Sequence, residues 1–305
     1  MKHFDPEEYL IFSCVAGSRL YGTNSTDSDE DIRSVCLPPM QVLLNPFDKF
    51  NVKDAFEDED KVVYDLGKFI NLCADNNPSL LELLFVPDKF VLYRTNLWDK
   101  IVENRHLFLS KNVKHRFLGY SFAMLKRIER HRQWFLNPPD HKPTREEFGL
   151  GQTSLVSEAN IQNMMGVPND LFKEEYYEEL QRERKYREVK KKWDNYIQWK
   201  TNRNPKRKGT EEEFGYDLKY ATHLFRLMSE GKELLLAGNI TFPLPNAEWL
   251  LLIKNGFYSY EKILEMAKSM EQDFELWYEQ SPLPKVPDRN ALKELYFDIV
   301  LGKNR

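Results

Sequence analysis

Residues 9–37, YLIFSCVAGSRLYGTNSTDSDEDIRSVCL, dictate a strand, a sharp turn and a second strand. Residues 9–16 are a short apolar run ending at Gly17, the pattern of a buried strand that stops at a turn. Residues 31–37 alternate well enough for another strand, halted by Pro38 and Pro39. Asp29 and Asp31, two apart on that strand, are expected to share one face, because side chains two apart on a strand point the same way. Carboxylates side by side repel, and a cation lets them stay ionised together. Mg²⁺ suits hard carboxylate oxygens when phosphate is the other ligand. Gly17 lets backbone approach a phosphate, and Ser18 adds a hydroxyl at the turn. A phosphate cradle beside a metal pair is one reading. A solvated acidic turn is the other, and spacing alone leaves both open. A calcium loop starting at Asp27 fails, since its sixth position is Ile32 and its twelfth Pro38.

Downstream, residues 49–56 and 61–64 read as further strands. A helix follows with Asp65 as N-cap and Leu66, Phe69, Ile70 and Cys73 on its buried face. Asn76, Asn77 and Pro78 break it, and Ser79 with Glu82 has capping-box spacing for the segment LLELLF. Beyond about residue 96 the periodicity is helical. Residues 113–134 carry Phe117, Tyr120, Met124 and Ile128 at helical spacing, and 171–200, 212–228, 260–277 and 290–301 are further helices. TNRNPKRKG, residues 201–209, reads as a basic loop, and Gly231 as a helix stop. The expected fold class is α+β: a catalytic domain with a mixed sheet over residues 1–110, then a mainly α-helical acceptor- or substrate-binding domain over 111–305.

Composition narrows the classes. The 305 residues are 41% hydrophobic and 30% charged, too apolar for a disordered chain. Nothing approaches the run of about 18–20 apolar residues that a membrane helix needs. The N-terminus lacks an apolar leader core, so a soluble, cytoplasmic protein with no membrane partner is expected. Cys14, Cys36 and Cys73 are far apart among apolar neighbours and read as reduced and buried. Charge is unevenly spread. Residues 1–100 hold 10 Lys/Arg against 18 Asp/Glu, whereas residues 181–210 hold 12 against 3. The acidic part suits metal ions and the basic part a polyanion.

Gly17-Ser18, Tyr21-Gly22, Ser28-Asp29-Glu30-Asp31-Ile32-Arg33, Pro38-Pro39 and Asn77-Pro78 to Phe85 occur in this order. Together they resemble the signature of the DNA polymerase beta nucleotidyltransferase superfamily, in particular a bacterial and phage branch linked to RNA repair. Ser34 stands where that branch often has Gly. The resemblance implies a third carboxylate on a neighbouring strand just before a helix. Asp58, Glu59, Asp60 and Asp65 are candidates; Asp60 suits the spacing, Asp58 is the reserve and Asp65 fits better as a cap. It implies that Asp29, Asp31 and Asp60 hold Mg²⁺, with Mn²⁺ as an alternative, while Gly17 and Ser18 bind the triphosphate of an NTP. A nucleoside monophosphate would then pass to an acceptor hydroxyl.

Lys219, His223 and Arg226 recur at i, i+4 and i+7 opposite an apolar face, which by periodicity is a solvated polar face. The K-x-x-x-H-x-x-R-L pattern also resembles a C-terminal motif of the same branch, which implies a phosphate-facing role for the three; His223 could relay a proton or simply hydrogen-bond. In residues 181–210 the cations interleave with Tyr186, Trp193, Tyr196 and Trp199, as an RNA surface would, or as an ordinary helix with inward aromatics. An RNA or tRNA 3′ end is the expected acceptor. A nucleotide- or RNA-binding module without turnover, and transfer to a protein or small molecule, stay open at this level. His106, His115, His131 and His141 have no metal spacing, and no P-loop or kinase signature is present.

Overall fold

The computed structural model describes residues 4–26, 28–47, 49–54, 60–154, 174–203 and 205–302, the side chains of 174, 175 and 205–207 excepted. Five strands form one sheet: β1 (Leu10–Ala16), β2 (Asp31–Cys36), β3 (Val52–Lys53), β4 (Asp60–Asp65) and β5 (Val91–Arg94). Their order is β3-β4-β2-β1-β5. β1 is antiparallel to β2 and β5, and β3 to β4, whereas β2 and β4 run parallel from Asp31 opposite Asp60 to Cys36 opposite Asp65. The sheet is thus mixed, and with the helices that follow it the fold is α+β.

Helices α1 (Gly17–Tyr21), α2 (Met40–Leu43), α3 (Leu66–Ala74), α4 (Pro78–Leu81), α5 (Asn96–Glu103) and α6 (Val113–Leu136) belong to the first half. The second half holds α7 (Glu174–Asn202), α8 (Pro205–Phe214), α9 (Leu218–Ala237), α10 (Ala247–Lys254), α11 (Tyr260–Gln280) and α12 (Arg289–Gly302). Among the described residues no helix is long and apolar enough to cross a membrane.

The apolar sides of β1, β2 and β4 supply Phe12, Cys14, Val35, Cys36 and Val63 to the core, where α3 adds Leu66 and Phe69. Trp98 of α5 stacks on Phe12 with ring centres 3.9 Å apart. The two buried hydroxyls between β1 and β2 satisfy each other, Ser34 donating to Ser13 at 2.9 Å. All three cysteines are buried and none is in a disulfide. Asp65 caps α3 by accepting from the Lys68 N–H at 2.9 Å.

Several local expectations fail for identifiable reasons. Ser79 and Glu82 form no capping box. Asn77 is the cap of α4, accepting from the Ser79 N–H at 3.1 Å, and Glu82 turns into the core. Residues 205–209 are helical, with Pro205 at the first helical position, where its missing N–H costs nothing. The helix expected over 212–228 is two helices, parted at Gly215 in the left-handed region (φ 77°). Gly231 does not stop α9, which ends before Gly238 (φ 62°). Gly231 serves packing instead: a Cβ there would lie 2.9 Å from the Phe274 ring and 3.1 Å from Phe117 Cβ. The strand expected over 49–56 shortens to Val52–Lys53, with residues 55 and 56 outside the described set, and β5 had no foreseen counterpart.

The chain divides into two compact units, one of residues 1–128 with 218–305, the other of residues 129–217. Neither cut falls at residue 110. Residues 218–305 share a unit with the sheet and bond to the turn that leaves β1, Lys254 reaching the Thr23 carbonyl and Leu244 N–H the Tyr21 carbonyl. In the second unit, Glu183 of α7 is buried and paired with Arg145 and Arg187.

Because the space at Gly231 is filled by buried rings, Gly231→Ala should destabilise the fold by about 1–3 kcal/mol through overpacking, in excess of its helix-propensity gain of about 1 kcal/mol. Urea unfolding read by far-UV circular dichroism checks this.

Candidate active site

β1 ends at Ala16, whose extended backbone offers α1 no side-chain cap. The first N–H groups of α1 therefore have no side-chain cap from the residue before them. Gly17 is required twice over. Its φ of 62° lies in the left-handed region, and any Cβ would collide with the Asp31 carboxylate. Gly22 (φ 76°) closes α1, and Thr23 N–H donates back to the Ser18 carbonyl at 2.9 Å.

β2 starts at Asp31, so Asp31 lies against Gly17 across one strand pair and opposite Asp60 across the other. Burial first, then the neighbouring Asp60 carboxyl, hold the Asp31 carboxyl above the usual carboxylate range; Arg33 and Lys219 pull it down. Arg33, two residues along β2, lies 3.8 Å from Asp31 and 3.6 Å from Asp60. Two hard-oxygen donors in register at the ends of adjacent strands are a donor set that a divalent cation satisfies. Asp29 precedes the strand and is exposed, so the period-2 argument that paired it with Asp31 does not apply to it. Asp27, Asp58 and Glu59 lie outside the described residues.

From α9, Lys219 is exposed and its charge reaches both Asp31 and Lys254. His223, one turn on, is half-buried. Lys254, at the end of α10, donates to the Thr23 carbonyl at 2.6 Å, directly after the α1 turn. Burial and the field of Lys219 push its ammonium below the usual lysine range. Sequence reasoning missed Lys254, and nothing in AEWLLLIK marks it, because its partner lies 231 residues away.

Arg226 departs from the solvated, phosphate-facing position that periodicity and resemblance gave it. It is 6% exposed, donating to Glu82 at 3.1 Å and Glu230 at 2.8 Å, with its guanidinium 4.3 Å from the Tyr21 ring centre. Tyr21 Oη donates to both Glu82 oxygens at 3.0 Å. Glu82 is pushed up to about 8, chiefly by burial and against the pull of Arg226. A lone Glu inside LLELLF was the readable sign that a buried partner existed.

In the second unit, the aromatics of α7 turn inward. Tyr196 is buried and meets Trp134, Trp193 and Trp199, while Tyr186 packs on Phe148. The base-stacking half of the RNA-surface pattern is therefore spent on packing, and exposed cations such as Lys191 and Lys192 remain. Side chains of Lys206 and Arg207 lie outside the described set. His131, assigned no site from spacing, comes within 4.8 Å of Glu211 and Asp217 by their ligand atoms. Arg203 already pairs with Glu211 there, supplying positive charge to the group.

Removing Arg226 would strand two buried carboxylates, so Arg226→Ala should cost about 3–5 kcal/mol of stability. Glu82 titrates near 4.5 when unfolded and about 8 when folded, so folding takes up a proton in that window. Stability should fall as pH rises through it, and Glu82→Gln should flatten the fall. Denaturant melts from pH 5 to 9 measure both.

Residues 3–135 match the RlaP family, described as the RNA repair pathway DNA polymerase beta family. An uncharacterized 38.9 kDa protein from the nrdC-mobD intergenic region of Enterobacteria phage T4 is 32% identical over 118 residues, covering 34% of each chain. The chain thus spans about a third of that relative's length. No solved structure matches. The family matched over residues 3–135, a polymerase beta branch linked to RNA repair, is the one that the motifs resemble.

Proposed function

We propose that the chain is a metal-dependent nucleotidyltransferase that moves a nucleoside monophosphate from an NTP to the 3′ hydroxyl of an RNA. The observation that carries this reading is the Asp31–Asp60 pair, in register on parallel strands and set against the Cβ-free edge of Gly17. Asp31 and Asp60 would hold the divalent cation, Mg²⁺ or Mn²⁺, with Asp29 as a further carboxylate at the open end of β2. Such a cation, when bound, acidifies the acceptor hydroxyl and offsets phosphate charge.

The open N–H groups of α1 at Gly17 and Ser18 receive the triphosphate. Lys219 and Lys254, two like charges facing the same site, meet its negative oxygens, and an anion between them relieves their mutual repulsion. His223 orients a phosphate oxygen by hydrogen bond. The acceptor oxygen attacks the α-phosphorus, the bond to the bridging oxygen breaks, and pyrophosphate departs. The hydroxyl proton passes to the exposed Asp60 carboxylate. Arg226 binds no phosphate in this scheme; it fixes Tyr21 and with it the cradle helix. The cations of residues 181–210 draw the RNA in.

Incubation with labelled NTPs, Mg²⁺ and RNA should yield a one-nucleotide extension. Asp31→Asn and Asp60→Asn should each slow it by at least about 100-fold, the scale of losing a charge-stabilising group. Undiminished transfer by both variants would overturn the site. RNA affinity should fall with salt at a log–log slope of about −0.7 per phosphate contact. Reversing Lys190, Lys191, Lys192, Lys206, Arg207 and Lys208 together should flatten that slope and leave NTP binding unchanged.

A further inference from the structure

A cavity of about 360 Å³ opens between α9, the segment before α10, and α11. Its wall carries two half-buried tryptophans, Trp249 and Trp277, together with Ser229, Lys232, Asn246 and Asp273. Each indole is braced from behind, Trp249 against Phe225 at 5.2 Å and Trp277 against Phe274 at 4.9 Å, both edge to face. Rigid, partly open aromatic faces suit a flat ring system. Asn246 donates to Ser229 at 2.8 Å, which orients its amide. Asp273 lines the same cavity with a half-buried carboxylate.

We propose that this cavity binds one unpaired nucleotide of the acceptor RNA, its base against the tryptophans. An apolar ligand would leave the Asp273 carboxylate unused. An organic cation would compete with the Lys232 ammonium, which already lies 5.3 Å over the Trp277 ring and is balanced by Glu233 and Asp273 on the same wall. A neutral base avoids that competition, its amino and ring N–H groups donate to Asp273, and Lys232 pairs with the nucleotide's phosphate. The volume suits a single nucleoside. The cavity wall is also tied to the cradle. Leu244 lines the cavity and donates its N–H to the Tyr21 carbonyl of α1 at 3.2 Å, and Gly22 leaves the space that Pro243 fills. A base held here thus sits one short segment from the helix assigned to the triphosphate. The inference rests on the RNA-acceptor reading above and names its base subsite.

The test uses the full chain and two fluorescein-labelled octaribonucleotides, identical except that one ends in an abasic 3′ residue. The parent should bind the intact oligomer at least about tenfold more tightly, the scale of one stacked base. Trp277→Leu should bring the two within about twofold, and so should Asp273→Asn, a single-atom change in a partly exposed side chain that spares the fold. Equal binding of both oligomers by the parent overturns the proposal, as does an undiminished ratio in the two variants. Nucleotide transfer is assayed on the same samples. Transfer without a base-dependent ratio removes the subsite and leaves the nucleotidyltransferase reading standing. A base-dependent ratio without transfer does the reverse.

Discussion

Arg226 between Glu82 and Glu230 is the interaction on which the rest of the site leans. A guanidinium with almost no solvent contact needs opposing charge close by, and two carboxylates plus the Tyr21 ring supply it from three separate parts of the chain, the hydrogen bonds running from Nη1 while Nε has none. The match is specific in geometry more than generous in energy, because desolvating three charged groups consumes much of what their attraction returns. What it secures is position. Tyr21 is the last residue of α1, so anchoring its hydroxyl to Glu82 fixes where the helix lies at the end of β1.

That anchoring matters because α1 has five residues and no intrinsic stability of its own. Glycines at both ends let the backbone make the turn, Leu244 N–H meets its last carbonyl, and Lys254 clasps the next residue but one. The candidate site is assembled from sheet residues near the start of the chain and from helices far later in it. Carboxylates, turn and cations belong to one compact unit that the sequence interrupts with residues 129–217.

What was legible in the sequence was what depends on near neighbours. The strand ending at Gly17, the Asp65 cap and the strand opening at Asp60 each follow from a few adjacent residues. Asp60 falls opposite Asp31 because the strand-to-helix spacing places both at the start of their strands. Arg226 was misplaced because a polar position on a helix tells which face it is on, not whether buried carboxylates await there. The tryptophans and tyrosines of α7 show the same ambiguity, since an aromatic between lysines reads alike whether it faces base or core. Gly231 read as a stop because glycine's backbone freedom and its small size give one letter; only Phe274 and Phe117 distinguish them. Lys254 left no trace, its partner being a backbone carbonyl.

The parallel pairing of β2 with β4 has a consequence for how such a chain can diverge. Between Cys36 and Asp60 the polypeptide leaves β2 and lays β3 against the far side of β4, and the pairing of Asp31 with Asp60 sets the phase of β4, not the length of the connections on either side of β3. Insertions and deletions there are silent so long as the ladder re-forms in phase. A slip of a single rung would turn Asp60 to the opposite face of the sheet and part the two carboxyls. Drift in this lineage is therefore free in length and quantised in phase.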